Sequence, residues 1–368
     1  MSKRPLLIIL SLMLLTSLTL AGCSPTTTAT EQPTTPPATA ITVVDALGRE
    51  VHFPEPPQRI VSMGRGNFMV CDVLFMFPEA QTRVVAMEGR GMNVSDFLPF
   101  VDPTFNDKVV LERDSGPEQV APHNPDVVIL KSYMQEKLGK QLEELDIPVI
   151  YVELETPNQF FRDVKTIGQL FGNEARAEEI VAFAQDRVDQ VTAQLPEATA
   201  KPRVLMLSYS DKGGEVAFKV WPETWMQTIE VQMAGGESVW LEAAQGGSAT
   251  VVNLEQIAAW DADKIFIVTY NQDPLPIVAQ LQAAPQWQSL SAVKNDELYG
   301  FPADFYGWDM PDPRWILGVT WLGKTLYPEN FAQVDMQQEV ETFFGELYGM
   351  DEENISQNII PQLKGSLD

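Results

Sequence analysis

The chain has 368 residues, 45% of them hydrophobic and 21% charged, a globular balance that excludes a collagen-like, wholly disordered or multi-span membrane protein. Its 25 Lys and Arg stand against 51 Asp and Glu, a formal charge of −26, so nucleic acid and anionic membrane surfaces are repelled. Two Cys and two His are too few for a disulfide framework, a Cys/His zinc cluster or multi-His ligation of iron.

At the N-terminus, Lys3 and Arg4 precede the apolar run Leu6–Leu20, which at about 15 residues is short for a membrane span and has the layout of a secretory signal. It ends in Leu20-Ala21-Gly22-Cys23, which resembles the lipobox of bacterial lipoproteins. That resemblance implies a signal peptide over residues 1–22 and lipidation at Cys23. Residues 23–40 are rich in Ser, Thr, Pro and Ala and read as a flexible tether. The expected location is extracytoplasmic, with the lipid as the only membrane contact.

Ile41–Phe53 reads as a hairpin closed by Asp45-Ala46-Leu47-Gly48. Strands follow at Arg59–Met63, Arg83–Met87, Pro125–Leu130 and Ile147–Tyr151, with helices at Phe68–Phe77 and about Gln135–Leu145. Short apolar strands alternating with helices imply a parallel sheet covered on both faces. Asn158–Phe171 is helical, and Asn173-Glu174 opens a longer helix to about Leu195, with Ile180, Phe183, Ala184, Val188 and Val191 on its apolar stripe. The alternation then restarts. Strands are expected at Arg203–Leu207, Lys264–Val268 and Glu297–Phe301, and helices at Glu223–Met233, Asn253 onward, Leu275–Ala283, Arg314–Leu326 and Val334–Tyr348. The expected fold is α/β: an N-terminal lobe (41–157), connecting helices (158–196), a C-terminal lobe (197–350) and a C-terminal tail (351–368).

Four segments together carry a family resemblance: Ile41–Ile60, Pro125–Leu130 (PDVVIL), Ala234-Gly235-Gly236, and Trp308–Pro328 (WDMPDPRWILGVTWLGKTLYP). They look like the substrate-binding lipoproteins of ABC importers, and more narrowly are similar to the binding proteins for iron–siderophores, cobalamin and related metal complexes. The resemblance spans about residues 41–350. It implies two parallel-sheet lobes joined by a single long rigid helix, a ligand cleft between the lobes, and delivery to a membrane permease driven by a cytoplasmic ATPase. It also implies one acidic docking residue on each lobe. Asp72, standing where the family more often carries Glu, and Glu230 fall at those places; a solvated acidic face is the competing reading.

Open parallel sheets bind ligands beyond the carboxyl ends of their strands. That rule selects Gly64–Asn67, Glu88–Asn93 and Lys131–Met134 in the first lobe, and Ser208–Lys212, Tyr270-Asn271 and Phe301–Trp308 in the second. The first three carry Arg65, Arg90 and Lys131. Three cations at three strand ends in so acidic a chain point to an anionic ligand; the alternative is local pairing with acids such as Glu88 and Asp211. Aromatic residues crowd the second lobe, including Phe218, Trp221, Trp225 and Phe305. Of these rings Tyr209, Tyr270, Tyr306 and Trp308 are the expected ligand contacts, whereas Trp315 and Trp321 read as core. Arg314 either points into the cleft or pairs with Asp309 or Asp312.

The expected function is capture of a metal complex (ferric siderophore, haem or corrinoid, anionic) by a monomer. No catalytic residue, resident metal site or cofactor is expected. An oxyanion such as molybdate or tungstate is the alternative cargo. A tethered extracellular hydrolase, or a sensor or adhesin, are alternative classes, though neither His sits in a nucleophile context such as GxSxG.

Overall fold

The computed structural model describes residues 40–89, 96–197 and 200–367. Arg90 and Cys23, and with Cys23 the signal and tether, lie outside the described residues. The chain opens with the antiparallel hairpin β1 (Ile41–Val44) and β2 (Glu50–Phe53). Asp45 fixes the turn by accepting from the backbone N–H of Leu47 and Arg49 and from the Arg49 guanidinium.

The first lobe is a parallel sheet of β3 (Ile60–Ser62), β4 (Val84–Glu88), β5 (Val109–Leu111), β6 (Val127–Lys131) and β7 (Val149–Val152), in the order β5-β4-β3-β6-β7. Every residue of β6 and β7 is buried, which is why Val127–Leu130 and Val149–Val152 read as unbroken apolar runs rather than alternating ones. Two helices then lead away, Pro157–Phe171 and Glu174–Gln194. Thr156 and Asn173 cap their N-termini through side-chain oxygens, and Gly172 ends the first at φ +67°. The second helix has 21 residues, a length of about 31 Å.

The second lobe holds β8 (Arg203–Ser210), β9 (Ala217–Val220), β10 (Glu237–Ser238), β11 (Thr250–Val252), β12 (Lys264–Val268) and β13 (Leu298–Gly300). The order is β11-β9-β8-β12-β13, with β10 beside the start of β8. Strands β8, β12 and β13 are parallel, but β9 runs antiparallel to both its neighbours. The short link from β8 to β9, with Gly213 and Gly214 at φ +82° and +84°, returns the chain directly, and a direct return makes an antiparallel pair. The expected parallel lobe is thus a parallel core with one reversed strand, β9, between it and the edge strand β11.

The segment expected as a tail is part of the fold. Ile355 and Ile359 are buried in the core. Asn354 Nδ2 donates to the Phe100 carbonyl in the first lobe at 2.8 Å, while Lys364 bridges to Ala303 and Ser366 N donates to the Gly300 carbonyl in the second. Among the described residues, no helix is long and apolar enough to cross a membrane.

Candidate ligand cleft

A cleft of about 740 Å³ opens between the lobes, within the range of about 300–1,000 Å³ usual for small-molecule sites. The first lobe contributes Met69 from the helix Asn67–Leu74, Tyr133 after β6, and Glu155, Thr156 and Gln159 after β7. The second contributes Trp221, Thr224 and Trp225 after β9, Met226 and Gln227 opening the helix Met226–Met233, Tyr270 after β12, and Met310 and Pro311. Strand ends build the site, as the topology requires. Four rings and three thioethers make most of its wall, with amide and hydroxyl groups between them. Glu155 is the one Asp, Glu, Lys or Arg among the described lining residues.

Local backbone chemistry holds the Glu155 wall. Leu154 sits at φ +55°, a conformation a bulky residue adopts only when its surroundings impose it. Here the buried Asp163 carboxylate accepts from the backbone N–H of Glu153 and Leu154 at 2.6 and 2.9 Å. Gln159 Oε1 takes the Glu155 N–H at 3.0 Å.

Behind the opposite wall lies a second acid. Tyr270 Oη and Gln227 Nε2, both of lining residues, donate to Asp309 Oδ2 at 2.8 and 3.1 Å. Burial pushes the Asp309 carboxyl up to about 6. Glu230, one helical turn beyond Gln227, is wholly buried, and neither carboxylate oxygen has a hydrogen-bond partner among the described residues. Burial, then Asp309 and Asp312, push its pKa well above the usual carboxylate range.

Of the expected ligand residues, Tyr270 lines the cleft. Lys131 lies one layer beneath the wall, fully buried, with Nζ 2.7 Å from Glu155 Oε1. Arg65 is exposed on the loop after β3, where its carbonyl accepts from Tyr133 Oη at 2.7 Å. Three ring expectations are corrected. Tyr209 is buried against Phe218, their centroids 5.8 Å apart. Tyr306 is buried and stacked on Phe68 at 5.2 Å. Trp308 is buried with Nε1 on Asp304 Oδ2 at 3.1 Å. Tyr209 belongs to β8 itself and packs on the neighbouring β9, whereas the loop that carries Tyr306 and Trp308 turns its rings inward, with Tyr306 against Phe68 of the first lobe.

Arg314 takes the pairing alternative, with partners other than Asp309. It is fully buried, with Nε 2.5 Å from Asp304 and Nη1 3.0 Å from both Asp312 and Asp72. Asp72 and Glu230 are buried too, so neither presents a carboxylate to a docking partner. Sequence reasoning passed over Glu155, Thr156 and Gln159, although the strand-end rule applied to β7 would have found them. It grouped Trp221 and Trp225 with the aromatic residues but ranked loop rings above them. Met69 and Met310 carry no sequence signal that separates them from core methionines.

Comparison with known proteins agrees with this architecture. Residues 90–305 match the family model described as periplasmic binding protein. The molybdate-binding protein MolA of Haemophilus influenzae is 24% identical over 247 residues, covering 61% of this chain and 67% of the relative. The iron-uptake system-binding protein of Bacillus subtilis is 20% identical over 295 residues, covering 78% and 88%. The crystal structure of a periplasmic solute binding protein from Veillonella parvula superposes with a TM-score of 0.69 at 21% identity, covering 87% of this chain and 97% of that one.

Proposed function

The chain belongs to the periplasmic binding protein family, whose members are solute-binding components of ABC transporters and not enzymes, and on that premise we propose that it captures a metal complex with an organic shell, such as a ferric siderophore, haem or corrinoid. The observation that carries this reading is the wall of the cleft. About 740 Å³ bounded by Tyr133, Trp221, Trp225, Tyr270 and three methionines suits flat or apolar faces of an extended chelate. A four-oxygen oxyanion would occupy a small part of that space and is best held by cations, and none of the described lining residues is cationic. The iron-uptake relative fits this reading, and the molybdate-binding relative fits the oxyanion alternative. The same reading has the protein work as a monomer, held to the membrane by lipid on Cys23 and delivering its cargo to the permease.

Tryptophan fluorescence tests the cargo, because Trp221 and Trp225 both line the cleft. Residues 24–368 are titrated with ferric carboxylate, hydroxamate and catecholate complexes, haem, cobalamin, molybdate and tungstate. One organic complex is expected to quench saturably at micromolar affinity or better, and Trp221→Phe with Trp225→Phe is expected to remove most of the signal. A response to molybdate or tungstate alone would replace the chelate with an oxyanion.

A further inference from the structure

Resting on that cargo-binding reading, we propose that Glu155 sets the charge preference of the cleft: it occupies, on Lys131, the place that an anionic oxygen of the cargo takes. Lys131 closes β6 with its side chain fully buried. Its methylene stem passes Gly66, where an added Cβ would stand 3.5 Å from Lys131 Cγ and Cε. At the far end Nζ meets Glu155 Oε1 at 2.7 Å, the Glu153 carbonyl, and Met69 Sδ at 3.4 Å. A buried ammonium keeps its proton only beside compensating negative charge. Burial lowers the Lys131 pKa, and Glu155 is the foremost group acting against that.

Two other carboxylates act on Lys131, those of Glu153 and Asp163. Arg162 holds both, at 2.8 Å each. Glu155 is therefore the acid that Lys131 neutralises, and it is the one that reaches the cleft. Its side chain is 43% exposed, and it lines the cavity beside Met69, the other cleft residue touching Nζ.

The backbone under Glu155 is fixed by Asp163 and Gln159, so its carboxylate can rotate into solvent while the loop stays in place. That rotation would uncover Nζ to the cleft. A carboxylate, hydroxamate or catecholate oxygen entering there restores the lost ion pair. A neutral oxygen leaves the ammonium without counter-charge, and a cationic group gains nothing by displacing Glu155. Anionic cargo thus competes with Glu155 for one ammonium, and the strength of that competition decides which charge the cleft accepts.

The test uses metal-free citrate and benzoate and, beside them, ferric citrate, read by tryptophan fluorescence at neutral pH and low salt. Glu155→Gln removes the competing charge but leaves an amide oxygen for Lys131. It is expected to bind the anions about tenfold more tightly than the wild type, or better. Lys131→Met is expected to bind them at least about tenfold more weakly, and the double variant to lose the gain seen in Glu155→Gln. Circular dichroism and thermal unfolding establish that each variant folds. Equal affinity of wild type and Glu155→Gln overturns the proposal, as does weaker binding by Glu155→Gln, which would make Glu155 a direct acceptor for a cargo donor. Failure of every carboxylate probe to bind either protein overturns it as well. If Glu155→Gln gains citrate affinity while no metal complex binds the wild type, the exchange stands and the cargo reading falls.

Discussion

Glu230 shows how far burial can override charge in this chain. Among the described residues neither oxygen finds a hydrogen-bond partner, and the charges acting on it are both carboxylates, Asp309 and Asp312. In the unfolded chain a Glu titrates near about 4.3, whereas the folded environment pushes it well above that. Between those two values the folded protein keeps a proton that the unfolded chain has released. Stability is therefore greatest below the unfolded pKa, falls as pH rises, and has lost this contribution once pH passes the folded pKa. Asp309 acts with the same sign over a window from about 3.9 in the unfolded chain to about 6 in the folded one. Glu230→Gln should flatten the dependence of melting temperature on pH, with the variant the more stable protein in mildly alkaline buffer and little different in acid. A variant melting in parallel with the wild type at every pH would show that Glu230 does not carry the proton.

At the scale of elements, the contact between the helix Trp315–Leu326 and the loop before it rests on a missing methyl group. A Cβ on Gly318 would stand 2.5 Å from the Trp308 carbonyl oxygen and 3.2 Å from Glu230 Oε2. In an exposed helix Gly→Ala stabilises by up to about 1 kcal/mol. Here Gly318→Ala should instead destabilise by about 1–3 kcal/mol, because a packed backbone has to move. Urea denaturation gives the sign directly, and a gain in stability would mean that the loop yields without strain.

The same scale explains what could be read in the sequence. Strands β3, β4, β6, β8 and β12 lie inside their sheets and announce themselves as apolar runs, as does β7, an edge strand whose residues are nonetheless all buried. Strands β5, β9 and β11 escaped because they are short and at or next to an edge, with exposed Val110 and Val251; pairing with distant chain, not local pattern, makes them strands. The cleft divides in the same way. Topology names the strand ends, which locates Tyr133 and Tyr270. Whether a ring there faces solvent or turns inward is decided by the opposing lobe. Phe68 covers Tyr306 across the junction, and nothing near Tyr306 in sequence records it.

Across the whole molecule the lobes are tied by more than their connecting helices. Arg314 joins Asp72 of the first lobe to Asp304 and Asp312 of the second. Its guanidinium carbon lies 4.5 Å from the Phe97 ring centroid, 5.4 Å from that of Tyr306 and 5.5 Å from that of Phe344. Burial, and then Asp72, push the Asp312 carboxyl up against the pull of Arg314, so the cluster depends on the arginine to hold its negative charge. A buried ion cluster contributes little net stability against a well-packed apolar equivalent, but losing one partner strands the others. Arg314→Met should therefore destabilise by about 3–5 kcal/mol. Arg314→Lys should lose less, since it keeps the charge and gives up only the fork that reaches three acids at once. Because the cluster spans both lobes, calorimetry of the wild type should show one cooperative transition. In Arg314→Met that transition should fall in temperature and broaden or split as the lobes unfold separately. A lower but equally sharp transition would assign the cohesion of the lobes to the Asn354–Phe100 strap and the connecting helices, and leave Arg314 as a local support of the helix it precedes.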